Sequence, residues 1–152
     1  MKFIYAPFTF AFLLFIGCGT NSDSNSIAVE NTTLIKSKNT FTTDADMQSY
    51  FKDEVHGVQV LVEAKILKEL SDDNDGSRHQ RFIVELNSGQ SLLVAHNIDL
   101  APRVNNLSTG ESIIIYGQYE WNSSGGVIHW THYDPKGFHE NGWIEYQGET
   151  FR

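Results

Sequence analysis

The chain has 152 residues, with 11 Lys and Arg against 19 Asp and Glu, a formal net charge of −8. Sequence-independent nucleic-acid binding depends on Lys and Arg neutralising phosphates, so a chain this acidic is a poor general binder of DNA or RNA. The single cysteine, Cys18, excludes an intramolecular disulfide, and the fold must rest on its core alone or on a core plus a metal.

Residues 1–17 read as an export signal. Lys2 is its only charge. The apolar run from Phe3 to Ile16, broken by Ala6, Pro7 and Thr9, falls short of the ~20 residues of a spanning helix. Leu14-Phe15-Ile16-Gly17-Cys18 resembles the lipobox of bacterial lipoproteins, in which the cysteine is acylated and becomes the mature N-terminus. The resemblance implies anchoring in the lipid bilayer through acylated Cys18. By analogy with the sorting of such lipoproteins, Gly19 rather than Asp after the cysteine favours the outer membrane, facing the periplasm. An ordinary export signal with an incidental cysteine is the alternative. Residues 18–40 are rich in Ser, Asn and Thr without apolar period, and read as a flexible tether.

The folded domain is expected over residues 41–152. Thr42 to Lys52 reads as a short helix capped by Thr43 or Asp44, with Met47, Tyr50 and Phe51 on one face to cover an end of a sheet. Gly57 to Leu70 reads as a long, partly bulged strand, and Ser71 to Gly76 as an acidic loop. Arg78 to Leu86 and Gln90 to Asn97 form a hairpin about Asn87-Ser88-Gly89. That hairpin sets His79 opposite about Asn97 and Arg81 opposite about Ala95. Pro102 argues against a central strand in the next segment. Ser112 to Trp121 and Val127 to Tyr133 are the fourth and fifth strands, joined by Asn122-Ser123-Ser124-Gly125-Gly126. Trp143 to Phe151 reads as a small C-terminal hairpin. Five strands with short turns predict an all-β fold, a small five-stranded Greek-key barrel like the oligonucleotide/oligosaccharide-binding (OB) fold. A β-sandwich is the alternative, though it usually needs about seven strands.

Several blocks together carry a resemblance. They are Gly76-Ser77-Arg78-His79-Gln80-Arg81-Phe82, Val94 to Arg103, Tyr119-Glu120-Trp121-Asn122, Gly125 to His132, Asp134-Pro135 and Gly142-Trp143-Ile144. Over about residues 54–151 the chain resembles an uncharacterised bacterial family known as domain of unknown function 3465. Tyr133 stands where that family often has a further histidine, which weakens any scheme needing a ligand there. The resemblance implies export and this fold, and brings no activity. A more distant likeness, of fold only, is to small periplasmic OB-fold proteins associated with stress responses.

Three constellations could carry chemistry. Alternation along a strand puts His132 and Asp134 on one face and His129 on the other, with Trp130 expected buried. A turn at Pro135–Gly137 would return His139 beside them. His132, Asp134 and His139 then make a two-histidine, one-carboxylate set for a divalent metal such as zinc. The competing reading is that Asp134 caps the Pro135-Lys136-Gly137 turn and orients an imidazole without metal. The second constellation is Arg78, His79, Arg81, His96, Asn97, Asp99 and Arg103. It reads either as a pocket in which Arg78 or Arg81 forks onto an anion, or as an internal salt bridge of Asp99 with Arg103 or Arg81. Tyr116, Tyr119, Trp121, Trp130, Tyr133 and Trp143 are either a stacking platform or barrel filling, with Trp121 expected partly exposed. The Asp72–Asp75 loop fails the EF-hand pattern, and no nucleophile elbow or phosphate loop is present.

The leading expectation is therefore a non-enzymatic binding module. A pocket lined by His, Arg and Trp121 would take a small anionic ligand, a glycan or a cell-envelope protein. The alternative is a metal-dependent hydrolase or nuclease using His132, Asp134 and His139, with Arg81 on the phosphate.

Overall fold

The computed structural model describes residues 40–152. The expected export signal, Cys18 and all but the last residue of the tether lie outside the described residues. The first element is α1, Asp44–Lys52. Its N-terminus is a capping box: Thr43 Oγ1 accepts from Asp46 N–H at 3.1 Å, and Asp46 Oδ2 accepts from Thr43 N–H at 3.0 Å. Two otherwise orphaned helical N–H groups are satisfied this way. Met47 is fully buried in the core, and Tyr50 packs against it. The helix covers one end of a sheet, as the spacing of those residues predicts.

The strands are β1 His56–Glu69, β2 His79–Glu85, β3 Ser91–Asn97, β4 Ser112–Glu120, β5 Val127–His129, β6 Trp143–Tyr146 and β7 Glu149–Phe151. Neighbours run β1-β2-β3-β5-β4, and β1 also pairs with β4, which closes a five-stranded barrel. Among the described strands only β3 and β5 are parallel, with Leu93 opposite Val127 and Val94 opposite Ile128. This is the expected all-β, OB-like barrel. β1 serves two partners: residues His56 to Lys65 pair with β4, and Lys65 to Glu69 with β2. A bulge between Ile66 and Lys68 falls in the part paired with β2, where the extra residue bends the strand. The C-terminal hairpin β6–β7 extends the sheet from β4, with Tyr116 opposite Trp143.

Alternation fills the barrel. β2 buries Gln80, Phe82 and Val84, β3 buries Leu92, Val94 and His96, and β4 buries Ile113, Ile115 and Tyr119. Gln80 is polar yet fully buried because both ends of its amide are spent. It donates to Val104 O at 2.8 Å and accepts from Val104 N–H at 2.9 Å. It thereby holds the long β3–β4 connection against the barrel, and a buried amide satisfied in this way costs little.

The register of the β2–β3 hairpin is as expected, His79 facing Asn97 and Arg81 facing Ala95. The fifth strand is not. It stops at His129 instead of running to Tyr133, because Trp130 adopts φ +51°, a left-handed conformation that breaks the ladder. Alternation beyond His129 therefore does not apply, and Trp130 is 36% exposed rather than buried.

The β4–β5 turn depends on Gly126. Its φ is +110°, and a Cβ there would lie 2.2 Å from the ring of Tyr119, itself fully buried. Gly126→Ala should combine backbone strain with overpacking and cost about 3 kcal/mol. The check is a lower urea midpoint at unchanged m-value. A shift worth less than about 1 kcal/mol would mean that this end of the barrel relaxes freely.

Candidate functional site

The open ends of β2 and β3 bring Arg78, His79, His96, Asn97 and Asp99 together, but the arginines there are already engaged. Asp99 accepts from Arg78 N–H at 2.8 Å and from Arg78 Nε at 2.7 Å. Those bonds, the backbone one first, hold the Asp99 carboxyl below the usual carboxylate range. Arg81 Nε donates to Ser71 O at 3.0 Å. Arg103 donates to Glu69 at 3.0 Å and also bonds Asp72. An internal salt bridge does form on Asp99, but its partner is Arg78 rather than Arg81 or Arg103. Arg78 directly precedes β2, so its own N–H and side chain reach the same carboxylate. Asn97 Oδ1 accepts from Asp99 N–H at 2.9 Å and shapes the turn. In the acidic loop, Asp73 accepts from Asp75 N–H at 3.1 Å, as a turn residue does.

His96 is a core residue with both nitrogens used. Nε2 donates to Pro102 O at 3.0 Å, which leaves Nδ1 to accept from the Thr131 hydroxyl at 2.8 Å. It ties the Pro102 loop to the segment leaving β5. Burial, chiefly, lowers its pKa to about 4.

The segment after β5 builds a pocket. Trp130 lies among three imidazoles: it stacks on His139 at 4.2 Å, sits 5.1 Å from His129, and meets His132 edge-on at 5.9 Å. His132 is 1% exposed. Its Nδ1 donates to Tyr133 O at 2.8 Å, and its Nε2 is buried with no partner among the described residues. Burial is the main reason its proton affinity is lowered. Asp134 organises the loop: its carboxylate accepts from the N–H groups of Lys136 at 2.8 Å, His139 at 3.0 Å and Phe138. Burial alone would raise the Asp134 carboxyl, but these bonds outweigh it and the net shift is downward. Asp134 thus does what the turn-capping reading expects of it.

The resulting cavity, about 180 Å³, is walled by Leu100, Trp130, Pro135, Phe138, His132 and His139, with Asp134 and Lys136 also on its lining. Five large apolar side chains are exposed among the described residues, and Leu100, Trp130 and Phe138 are three of them. Phe138 is 83% exposed. Leu100, Phe138 and Thr131 were not legible as site residues from their types. The available signal was a bulky apolar residue in a turn-rich segment with no strand to bury it. A larger, more polar cleft of about 690 Å³ is lined by Tyr116, Tyr133, Glu140, Trp143 and Arg152. There Tyr116 donates to Glu140 at 2.5 Å, and burial with that bond pushes its phenol up to about 12.

The other candidates lie elsewhere. Trp121 is half-buried at the helix end, 6.5 Å from Phe51 and 6.3 Å from His56. It does not join the arginine and histidine group. His129 faces Glu120, 3.8 Å away. His132, Asp134 and His139 are drawn together by the loop, His139 Nε2 lying 3.8 Å from Asp134 Oδ2. Among the described residues no group of three or more His, Cys, Asp or Glu is arranged to hold a metal ion.

Fold and pocket define a small OB-like barrel with a histidine–aromatic cavity beyond the end of β5. The chain belongs to the family described as Protein of unknown function (DUF3465), whose profile it matches over residues 29–152. No curated protein matches it.

His96 carries a pH dependence. Unfolded, it takes a proton near 6.5; folded, it resists until about 4. The stability from keeping it neutral is complete above 6.5 and is lost as pH falls through that window, about 3 kcal/mol in all. Urea denaturation at stepped pH should show this loss, and His96→Gln should flatten most of it. An unchanged slope in the variant would assign the effect to other groups.

Proposed function

We propose that the protein is a binding module of the bacterial cell envelope, held there through Cys18, with its ligand seated in the Trp130 pocket. One observation carries the choice of pocket. Of the two cavities, this is the one where exposed apolar side chains meet a buried imidazole nitrogen that no group among the described residues satisfies. Buried polar atoms are ordinarily bonded, so an orphan lining a cavity marks a place for something else. Trp130 strengthens the reading: a bulky residue held at φ +51° is strained backbone, which persists at binding sites where the surroundings enforce it. The arginine group supports an anion seat less well, because Arg78, Arg81 and Arg103 all have partners within the chain. For the same reason hydrolysis with Arg81 on a phosphate is the weaker alternative. The envelope tether is supported by the Leu14-to-Cys18 motif and the polar stretch that follows it.

Two experiments test this. A cavity of this size suits one aromatic ring, so phenol and indole are the probes. Chemical-shift mapping should place both at Trp130, His132 and Phe138. Trp130→Ala should weaken binding at least tenfold, and Arg78→Ala should leave it unchanged. Shifts confined to Tyr116 and Trp143, or no saturation, would remove the pocket from consideration. For the tether, labelled palmitate should enter the wild-type chain in cells and not Cys18→Ser. Equal labelling of both would end the lipoprotein reading.

A further inference from the structure

His132 and His139 share one hydrogen-bonding state. A carbonyl oxygen only accepts, so Nδ1 of His132 carries the proton given to Tyr133 O at 2.8 Å, and Nδ1 of His139 the proton given to Glu140 O at 2.7 Å. In a neutral imidazole the remaining nitrogen is then a bare lone pair. Nε2 of His132 is buried and has no partner among the described residues. Nε2 of His139 faces the Asp134 carboxylate at 3.8 Å, an acceptor that offers it no proton. The two rings are 5.0 Å apart and perpendicular, and both line the cavity under Trp130. Two imidazole lone pairs and a carboxylate thus lie together.

Histidines that ligate metals show this same state: Nδ1–H is anchored on a backbone carbonyl or carboxylate, which fixes the tautomer and the ring, and Nε2 is presented. His96 is the contrast within this protein. Its Nε2 bears the proton and its Nδ1 accepts from Thr131, so it has no lone pair to offer. We propose that Nε2 of His132 and Nε2 of His139 bind a first-row divalent transition-metal ion, with the Asp134 carboxylate as the neighbouring negative charge. The proposal rests on the Trp130 pocket being the ligand seat, and it names the class of ligand. Imidazole nitrogen selects ions such as Zn(II) or Cu(II) over Mg(II) and Ca(II), which prefer oxygen. The protein contributes two nitrogens, and among the described residues no third ligand completes a set of three. The remaining positions on the ion are therefore open to water or to a donor atom of a second molecule, and binding is weaker than in a closed four-ligand site.

The test is calorimetric titration with Zn(II) alone, with Mg(II) as control, on the full chain carrying Cys18→Ser to remove its one thiol. The expected result is about one Zn(II) per chain, at least tenfold weaker in His139→Gln, and no Mg(II) uptake. To keep the test independent of the folding of a histidine variant, the same titration is read on the parent through the imidazole nitrogens in long-range 1H–15N spectra. Nε2 of His132 and of His139 should move while the His96 signals stay. No saturable Zn(II) uptake, equal affinity in a folded His139→Gln, or shifts at other histidines instead would each overturn the proposal. If Zn(II) fails while phenol still binds at Trp130, the metal is wrong and the pocket reading stands. If phenol also fails, both fall.

Discussion

The pocket depends on one backbone contact. Gly142 N–H donates to the His132 carbonyl at 2.9 Å and clasps the returning end of the 133–141 loop to the barrel. The approach is so close that a Cβ on residue 142 would fall 2.0 Å from Trp130 O and 2.6 Å from Tyr116 O. Only glycine fits, and its role is close approach, with no need for an unusual φ. The clasp sets where the loop ends, and Asp134 sets how it turns by gathering three N–H groups on one carboxylate. Together they bring His139 back over Trp130 and beside His132.

The polar residues of this end divide by whether their hydrogen bonds are spent. Gln80, His96 and Asn97 are buried and fully or largely engaged, and they hold loops onto the barrel. Arg78, Arg81 and Arg103 are engaged as well, with carboxylates or a carbonyl of their own chain. His129 and His132 each have a buried Nε2 left over among the described residues, and that of His132 lines the pocket. That distinction separates structural polar groups from candidate functional ones better than residue type does, since all of them are residues with a record of chemistry in other proteins.

The barrel places the two ends differently. Around Met47 and Tyr50 the helix seals the end where the β2–β3 and β4–β5 turns lie. The parallel pairing of β5 with β3 then delivers the chain leaving β5 to the opposite end, beside the start of β2 and the end of β3. Among the described residues no helix covers that end. It is closed by two loops, 98–111 and 130–142, joined through the His96–Thr131 and His96–Pro102 bonds. Apolar side chains at the rim of such loops have no element to bury them, which is why Leu100 and Phe138 stay exposed.

The sequence by itself determined the all-β barrel, the capped helix, the bulged first strand and the β2–β3 register. These follow from local causes: alternation with a period of two, a Thr at the N-cap, and a tight turn that leaves one pairing. It also indicated that Asp134 caps a turn, because Asp before Pro-Lys-Gly acts on its own neighbours in the chain. Only the tertiary structure decided where β5 ends. It ends just before Trp130, whose left-handed backbone lies against Gly142, distant in sequence, and no periodicity carries that contact. From there came the exposure of Trp130, the pairing of His132 with His139, the partner of Asp99, and the separation of Trp121 from the polar cluster. Which nitrogen of each histidine is free was likewise invisible beforehand, because a tautomer is set by the one carbonyl within reach.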